Sequence, residues 1–119
     1  MPTLIHGTTR QRAESIIRNG PDPRYREPGG VPVNDGFSMY VDGGPYAFDS
    51  PEVYARGKAR QFPNEGGAVI LAVEVPDEIV DASDPFLPIE SGVVQFVEGF
   101  GIEELLSVWQ ALPKEIRTL

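Results

Sequence analysis

The stretch AVILAVEV, residues 68–75, is a nearly continuous apolar run of strand length. It is bounded by Gly66 and Gly67 on one side and by Pro76 on the other. A short apolar run between such residues is typical of a strand that is buried in the middle of a sheet. We therefore expect a central strand here, with the remaining elements arranged around it.

A helix is predicted immediately before this strand. Ser50 is a favourable N-cap residue, Pro51 suits the first helical position, and Glu52 places an acid in the first turn. Ala55, Ala59 and Phe62 share one face of the expected helix, which Pro63 ends. Further upstream, FSMYV (37–41) is strand-like and residues 42–49 form a turn-rich link.

The segment TLIHGTTRQRAESIIRNGP, residues 3–21, predicts a first strand and a first helix. The strand is expected over residues 2–5. Thr8 has the position of an N-cap, and Gln11, three residues later, gives a capping-box spacing. The apolar face of the helix is marked by Ala13, Ile16 and Ile17. Its stop signal is Asn19-Gly20-Pro21.

The last third of the chain predicts one more strand and one more helix. Residues 76–92 are irregular, and VVQFV (93–97) is strand-like. Helical spacing then relates the apolar residues Ile102, Leu105, Leu106, Trp109 and Leu112. The order of elements indicates a single α+β domain over residues 1–119, with one or two small sheets and helices packed on them.

Composition excludes several classes of protein. The chain has 119 residues, no cysteine and a formal charge of -8, so disulfides and thiolate chemistry are excluded and general affinity for nucleic acid is not expected. Neither an apolar run of membrane-spanning length nor a leader is visible, and a cytoplasmic protein is the default. The sequence also lacks a phosphate loop, an H-E-x-x-H motif and a nucleophile elbow, and one histidine without cysteine predicts no metal site.

The charge is distributed unevenly along the chain. Residues 1–32 hold five arginines and three acids, and residues 33–119 hold five basic and fifteen acidic side chains. Either the protein has an ordinary acidic surface, or its arginine-bearing first third faces a phosphate-containing ligand. Arg24 and Arg26 lie in the long Pro/Gly-rich segment 20–36, for which a ligand-facing loop and a flexible one are both open interpretations.

Several weak motifs occur together in one order over roughly residues 3–98. They are LIHGTT with AESIIRNG, then GFSMYVDGGPYAFDSPEVYARGKA, VILAVEVP and PIESGVVQFV. In this combination the sequence resembles the ADP-ribosyltransferase family, in the histidine-tyrosine-glutamate class that includes diphtheria-like toxins and poly-ADP-ribose polymerases. The resemblance implies a fold of two small packed β-sheets flanked by helices. It also implies NAD as co-substrate and transfer of ADP-ribose to an unknown acceptor, for which a protein, a nucleic acid, a small molecule and water are all open.

The resemblance also assigns roles to individual residues. His6 corresponds to the histidine that binds ribose hydroxyls, Gly7 to the backbone position that holds the nicotinamide carboxamide, and Thr8 to the small hydroxyl residue after it. A glycine suits that position because no side chain blocks the ligand. Either Tyr40 or Tyr46 corresponds to the tyrosine that stacks on nicotinamide.

The acid and the phosphate contacts complete the expected site. Glu90 precedes the last predicted strand and corresponds to the carboxylate that stabilises the oxocarbenium-like transition state as nicotinamide leaves. Glu98 lies at the other end of that strand and matches less well. Arg24 and Arg26 are candidates to reach the pyrophosphate of NAD.

Two alternatives to a transferase remain open from the sequence. One is a non-catalytic domain of the same fold that binds NAD or ADP-ribose, because Val93, Val94 and Gln95 occupy positions where a strand-borne glutamate is expected. The other is an RNA 2'-phosphotransferase-like enzyme, whose family also has a histidine-glycine-threonine strand end. The acidic charge beyond residue 32 argues against that second alternative.

Overall fold

The computed structural model describes residues 3–20, 40–43, 50–77 and 102–119. Its elements, in chain order, are β1 (Thr3–Thr9), α1 (Arg10–Asn19), β2 (Tyr40–Val41), α2 (Pro51–Gln61), β3 (Ala68–Glu74), α3 (Ile102–Val108), a 3-10 turn (Trp109–Ala111) and β4 (Lys114–Thr118). Within these ranges, none of the helices has both the length and the apolar character that crossing a membrane requires.

The four strands form one antiparallel sheet in the order β2-β1-β3-β4. β3 pairs with β1 from Thr3↔Glu74 to Thr9↔Ala68, and on its other side with β4. The prediction of a central strand at this point is therefore confirmed. The coarse fold class, α+β, is confirmed as well.

The two faces of the sheet are covered by different helices, and strand alternation assigns each residue to one face. On the first, the α1 face, Leu4, Leu71 and Val73 pack with α1, α3 and the 3-10 turn. On the second, the α2 face, Ile5, Ile70 and Ala72 form a smaller cluster with Ala55 of α2. The larger core lies on the α1 face.

Helix α2 begins as the sequence predicts. Ser50 is its N-cap, the Ser50 hydroxyl accepts a hydrogen bond from the Val53 amide at 3.4 Å, and Pro51 occupies the first turn. The helix ends at Gln61, before Pro63. Pro51 and Ala55 are buried against the sheet, while Glu52 is exposed.

Helix α1 has the predicted apolar face and stop, but the predicted cap is wrong. β1 continues through Thr8 and Thr9, because these residues pair with Val69 and Ala68 at the start of β3. The N-cap is consequently Thr9, whose hydroxyl accepts from the Arg12 amide at 3.4 Å. The capping box expected between Thr8 and Gln11 therefore does not form.

The C-terminal segment differs from the single long helix that the apolar spacing predicts. α3 ends at Val108, a 3-10 turn follows, and an unpredicted strand, β4, then pairs with β3. The apolar stripe is correct in part: Leu105, Trp109 and Leu112 are buried, whereas Leu106 is exposed. The indole nitrogen of Trp109 donates to the carbonyl oxygens of Ile16 and Ile17 at 3.0 and 3.1 Å, which joins this segment to α1.

Several sequence-based predictions lie outside the described residues. They are the loop over 21–36, the first part of the strand at 37–41, the irregular segment 78–92 and the strand at 93–97. The second small sheet implied by the resemblance also remains a prediction, since the described strands belong to one sheet.

Candidate functional site

His6 lies in the middle of β1 and is buried, with 6% of its surface exposed. It pairs with Leu71 of β3. Alternation along β1 places its imidazole on the α1 face, the same face as Leu4 and Thr8. Thr8 is fully buried. Two of the predicted ligand-binding residues thus share one face of the sheet, among the apolar side chains of the larger core.

Gly7 faces the opposite side, where α2 packs directly onto its backbone. A Cβ at this position would collide with the Pro51 carbonyl oxygen and would lie 2.8 Å from the Pro51 carbonyl carbon and 3.2 Å from the Ala55 amide nitrogen. Glycine is therefore required here for the close approach of α2 to β1. This packing explains Gly7 without reference to a ligand.

Tyr40 and His6 lie on opposite faces of the sheet. Tyr40 pairs with Ile5, the neighbour of His6, and packs on the α2 face against the Ile5 cluster. The pKa of its phenol is raised, first by burial and then by the nearby Tyr54. A ligand bound beside His6 on the α1 face would therefore not contact the ring of Tyr40.

The other predicted site residues are not among those that the structure describes. They are Tyr46, Glu90, Arg24 and Arg26, together with the less favoured acid Glu98. Their roles stay predictions.

Lys58 is a charged residue of α2 whose side chain contacts the backbone of a predicted site residue, Gly7. It is partly buried on the face of the helix that contacts the sheet, and its ammonium donates to the Gly7 carbonyl oxygen at 3.4 Å. Burial, and secondarily the positive charge of Arg12, lower the pKa of Lys58 to about 8. An amine with such a pKa exchanges its proton close to neutral pH, which suits hydrogen bonding or proton transfer to a ligand.

Arg12 and Glu65 form a bidentate ion pair across the start of α1, near Lys58. The Arg12 Nε and Nη2 atoms donate to the two carboxylate oxygens of Glu65 at 2.8 and 3.2 Å. The Thr9 hydroxyl donates to the same carboxylate at 2.8 Å, and the Arg12 guanidinium stacks 4.3 Å above the ring centre of Phe62. The hydrogen bond from Arg12, reinforced by the one from Thr9, lowers the pKa of Glu65.

Residues 65–67 also cover the N-terminus of α1. The amides of Arg10 and Gln11 each donate, at 3.0 Å, to the backbone carbonyls of Gly67 and Glu65, and the next amide donates to the Thr9 hydroxyl. A free helix N-terminus can bind a phosphate. In this protein the first amides of α1 are already used within the chain, so a phosphate group would have to be bound elsewhere.

Sequence reasoning missed Lys58 and the Arg12–Glu65 pair for different reasons. Lys58 follows Ala55 by three residues and precedes Phe62 by four, so a cation on the predicted apolar face of α2 was a visible signal. Arg12 and Glu65 are separated by 53 residues. No local pattern connects two residues at that distance, and their contact depends on the pairing of β1 with β3.

Comparison with known proteins provides no relative for this chain: no family model, no curated protein and no solved structure matches it. In the part of the chain that the structure describes, no cluster of three or more histidine and acidic residues could hold a metal ion. Function is therefore inferred from the residues themselves.

Proposed function

We propose that this protein is an ADP-ribosyltransferase-like protein that binds NAD, cleaves its nicotinamide glycosidic bond and transfers ADP-ribose to an acceptor. The observation that supports this most strongly is the position of His6. A histidine buried among apolar residues loses hydration that only hydrogen bonds or a ligand can replace, and such residues are frequent at functional sites.

A ligand bound on the α1 face of the sheet could contact His6. Thr8 lies on the same face, two residues away, so both side chains can contact one bound ribose. In the proposed complex, His6 orients the ribose hydroxyls and Thr8 contributes a second hydrogen bond.

In this complex the stacking role belongs to Tyr46 rather than to Tyr40. The register that pairs Tyr40 with Ile5 directs the Tyr40 ring to the α2 face, away from His6. Tyr46 is the remaining tyrosine that the sequence resemblance favours. Glu90 supplies the negative charge that stabilises the oxocarbenium-like transition state, and Arg24 and Arg26 contact the pyrophosphate.

Within the described residues, the Gly7 carbonyl accepts a hydrogen bond from Lys58. A carbonyl oxygen accepts two hydrogen bonds, and the contact with the Lys58 ammonium is long, at 3.4 Å. The amide of the nicotinamide carboxamide can therefore bind the same oxygen, with Lys58 moving aside or sharing it.

The experiment combines binding and turnover. Isothermal titration with NAD and with ADP-ribose measures affinity, and release of nicotinamide from NAD measures cleavage. We expect His6→Gln to weaken NAD binding at least tenfold and Tyr46→Ala to do the same. Glu90→Gln should abolish nicotinamide release while leaving NAD binding within a few-fold of the unchanged protein.

Tyr40→Ala is the matched control, because this ring lies on the other face of the sheet and its loss should leave NAD affinity unchanged. Circular dichroism verifies that each variant folds, and Thr8→Val, which removes the hydroxyl, replaces His6→Gln if the latter does not fold. Absence of binding by the unchanged protein contradicts the proposal. Binding of ADP-ribose without any cleavage of NAD would instead establish a non-catalytic binding domain.

A further inference from the structure

β4 lies at one end of the sheet order, and among the described residues no strand pairs with its outer edge. The backbone bonds beside β4 show which of its residues face outward. The Glu74 amide donates to the Pro113 carbonyl, and the Leu119 amide donates to the Ala68 carbonyl. Because hydrogen-bonded pairs alternate along an antiparallel ladder, the N–H and C=O groups of Lys114, Ile116 and Thr118 point away from β3.

Such an edge is a template for another strand, and its side chains determine which strand fits. Glu115 and Arg117 flank Ile116 and carry opposite charges. Both lie on the α2 face, and the Arg117 Nε donates to the Glu115 carboxylate at 2.8 Å. Both side chains are substantially exposed, 40% for Arg117 and 63% for Glu115.

This order of charges is complementary to itself when the strand is reversed. If two copies of β4 align antiparallel with Ile116 opposite Ile116, then Glu115 of each copy lies opposite Arg117 of the other. Centring the pair on Glu115 or on Arg117 would instead place two like charges opposite each other, which is unfavourable. The charges therefore select one register out of the neighbouring ones.

The backbone favours the same register. Ile116, Lys114 and Thr118 carry the outward N–H and C=O groups, so Ile116 can exchange two hydrogen bonds with its symmetry mate, and Lys114 can do so with Thr118. Glu115 and Arg117 then form the non-hydrogen-bonded pairs, in which side chains come closest. On the α1 face, the partly buried Ile116, which packs against the larger core, would extend that core across the two-fold axis.

We propose that two copies of this chain associate through β4, antiparallel and centred on Ile116, to form one continuous sheet across the dimer. The interface is isologous, so each contact occurs twice. The dimer is stabilised by burial of the two Ile116 side chains and by hydrogen bonding of the β4 edge of each copy. The Glu115–Arg117 pairs between the copies fix its register.

Sedimentation equilibrium or light scattering of the full chain over a range of concentrations tests the proposal. We expect a mass approaching twice the 13.0 kDa of one chain. Glu115→Arg and Arg117→Glu each turn two attractive pairs into two repulsive ones, and each should raise the dissociation constant at least tenfold. The double variant carrying both changes restores complementarity and should recover the dimer.

Two further variants test whether β4 itself forms the contact between the copies. Arg117 also donates to the Asp42 carboxylate at 2.9 Å within its own chain, so Asp42→Asn controls for loss of that contact and should leave the dimer unchanged. The chain contains no cysteine. Ile116→Cys should therefore cross-link on oxidation, because hydrogen-bonded pairs have Cα atoms about 5.5 Å apart, within disulfide range. Glu52→Cys, on the exposed side of α2, should not.

A protein that stays monomeric at 100-fold the concentration of the binding assays overturns the proposal. So does a dimer that tolerates both single charge reversals, or one that the double variant fails to restore while circular dichroism shows the double variant to be folded.

Discussion

Removal of the positive charge of Lys58 should stabilise this protein at neutral pH. The ammonium is partly buried against β1, and its pKa falls from the ordinary 10.5 to about 8, chiefly because burial penalises the charged form. A tenfold change in proton affinity corresponds to about 1.4 kcal/mol. Keeping Lys58 charged in the folded state therefore costs at most about 3 kcal/mol, and solvent screening of the exposed part of the side chain reduces that figure.

Lys58→Met keeps the length of the side chain and removes the charge. We expect its free energy of unfolding at pH 7 to exceed that of the unchanged protein by about 1–3 kcal/mol, which corresponds to about 4 °C in melting temperature for each kcal/mol. Urea denaturation followed by circular dichroism measures the difference. Arg60→Met is the matched control, because Arg60 is exposed on the same helix and its replacement should change stability little.

The dependence on pH makes the test specific. Between pH 8 and 10.5 the unfolded chain keeps the Lys58 proton and the folded chain loses it, so the unfolded state binds more protons and stability rises with pH. The advantage of Lys58→Met should therefore shrink over this window and vanish near pH 10.5. Titration of Tyr40 and Lys114 affects both proteins equally and cancels in the difference. A variant that is less stable at pH 7, or whose advantage persists at pH 10.5, would refute the reasoning.

Three further changes test other contacts. Gly7→Ala forces a methyl group into the backbone of α2 at Pro51 and should destabilise the fold by about 3 kcal/mol, measured by denaturation. Gly43→Ala is the control, because a Cβ at Gly43 meets open space. It should cost about 1 kcal/mol through its positive φ alone. Trp109→Phe removes the donor shared by two carbonyls of α1 and should cost about 1–3 kcal/mol; an unchanged melting temperature would contradict that. Glu65→Gln should make the protein lose less stability on acidification. The lowered pKa of Glu65 contributes folding stability in the unchanged protein, and this contribution disappears as the pH falls through the pKa of the folded state.

Local signals predicted the elements whose residues interact with near neighbours. The Ser50-Pro51-Glu52 start of α2 and the apolar run of β3 are such cases, since capping and burial of a short run depend on residues a few positions apart. The start of α1 was misplaced by one residue because the ladder with β3 extends β1 to Thr9. β4 was missed because Ile116 is its single apolar residue, and its strand conformation depends on pairing with β3 rather than on its own composition.

The candidate site follows the same division. That His6 lies at a strand could be expected from its apolar neighbours Leu4 and Ile5, whereas its position in the middle of β1 depends on the pairing with β3. The face that His6 occupies, opposite to Tyr40, could not be expected, because it depends on the pairing of Tyr40 with Ile5 across 35 positions of sequence. Lys58 was visible as a cation in an apolar stripe, whereas the Glu65 partner of Arg12 is fixed only by the folded chain.

The fluorescence of Trp109 can report whether the C-terminal segment is packed on α1. Trp109 is the single tryptophan of the sequence, it is 1% exposed, and its indole bonds to the last turn of α1, with the Lys114 ammonium 5.0 Å from the ring centre. Its emission wavelength therefore reports whether the C-terminal segment is docked on α1. Detachment of that segment would shift the emission to the red, even while circular dichroism still shows most of the secondary structure.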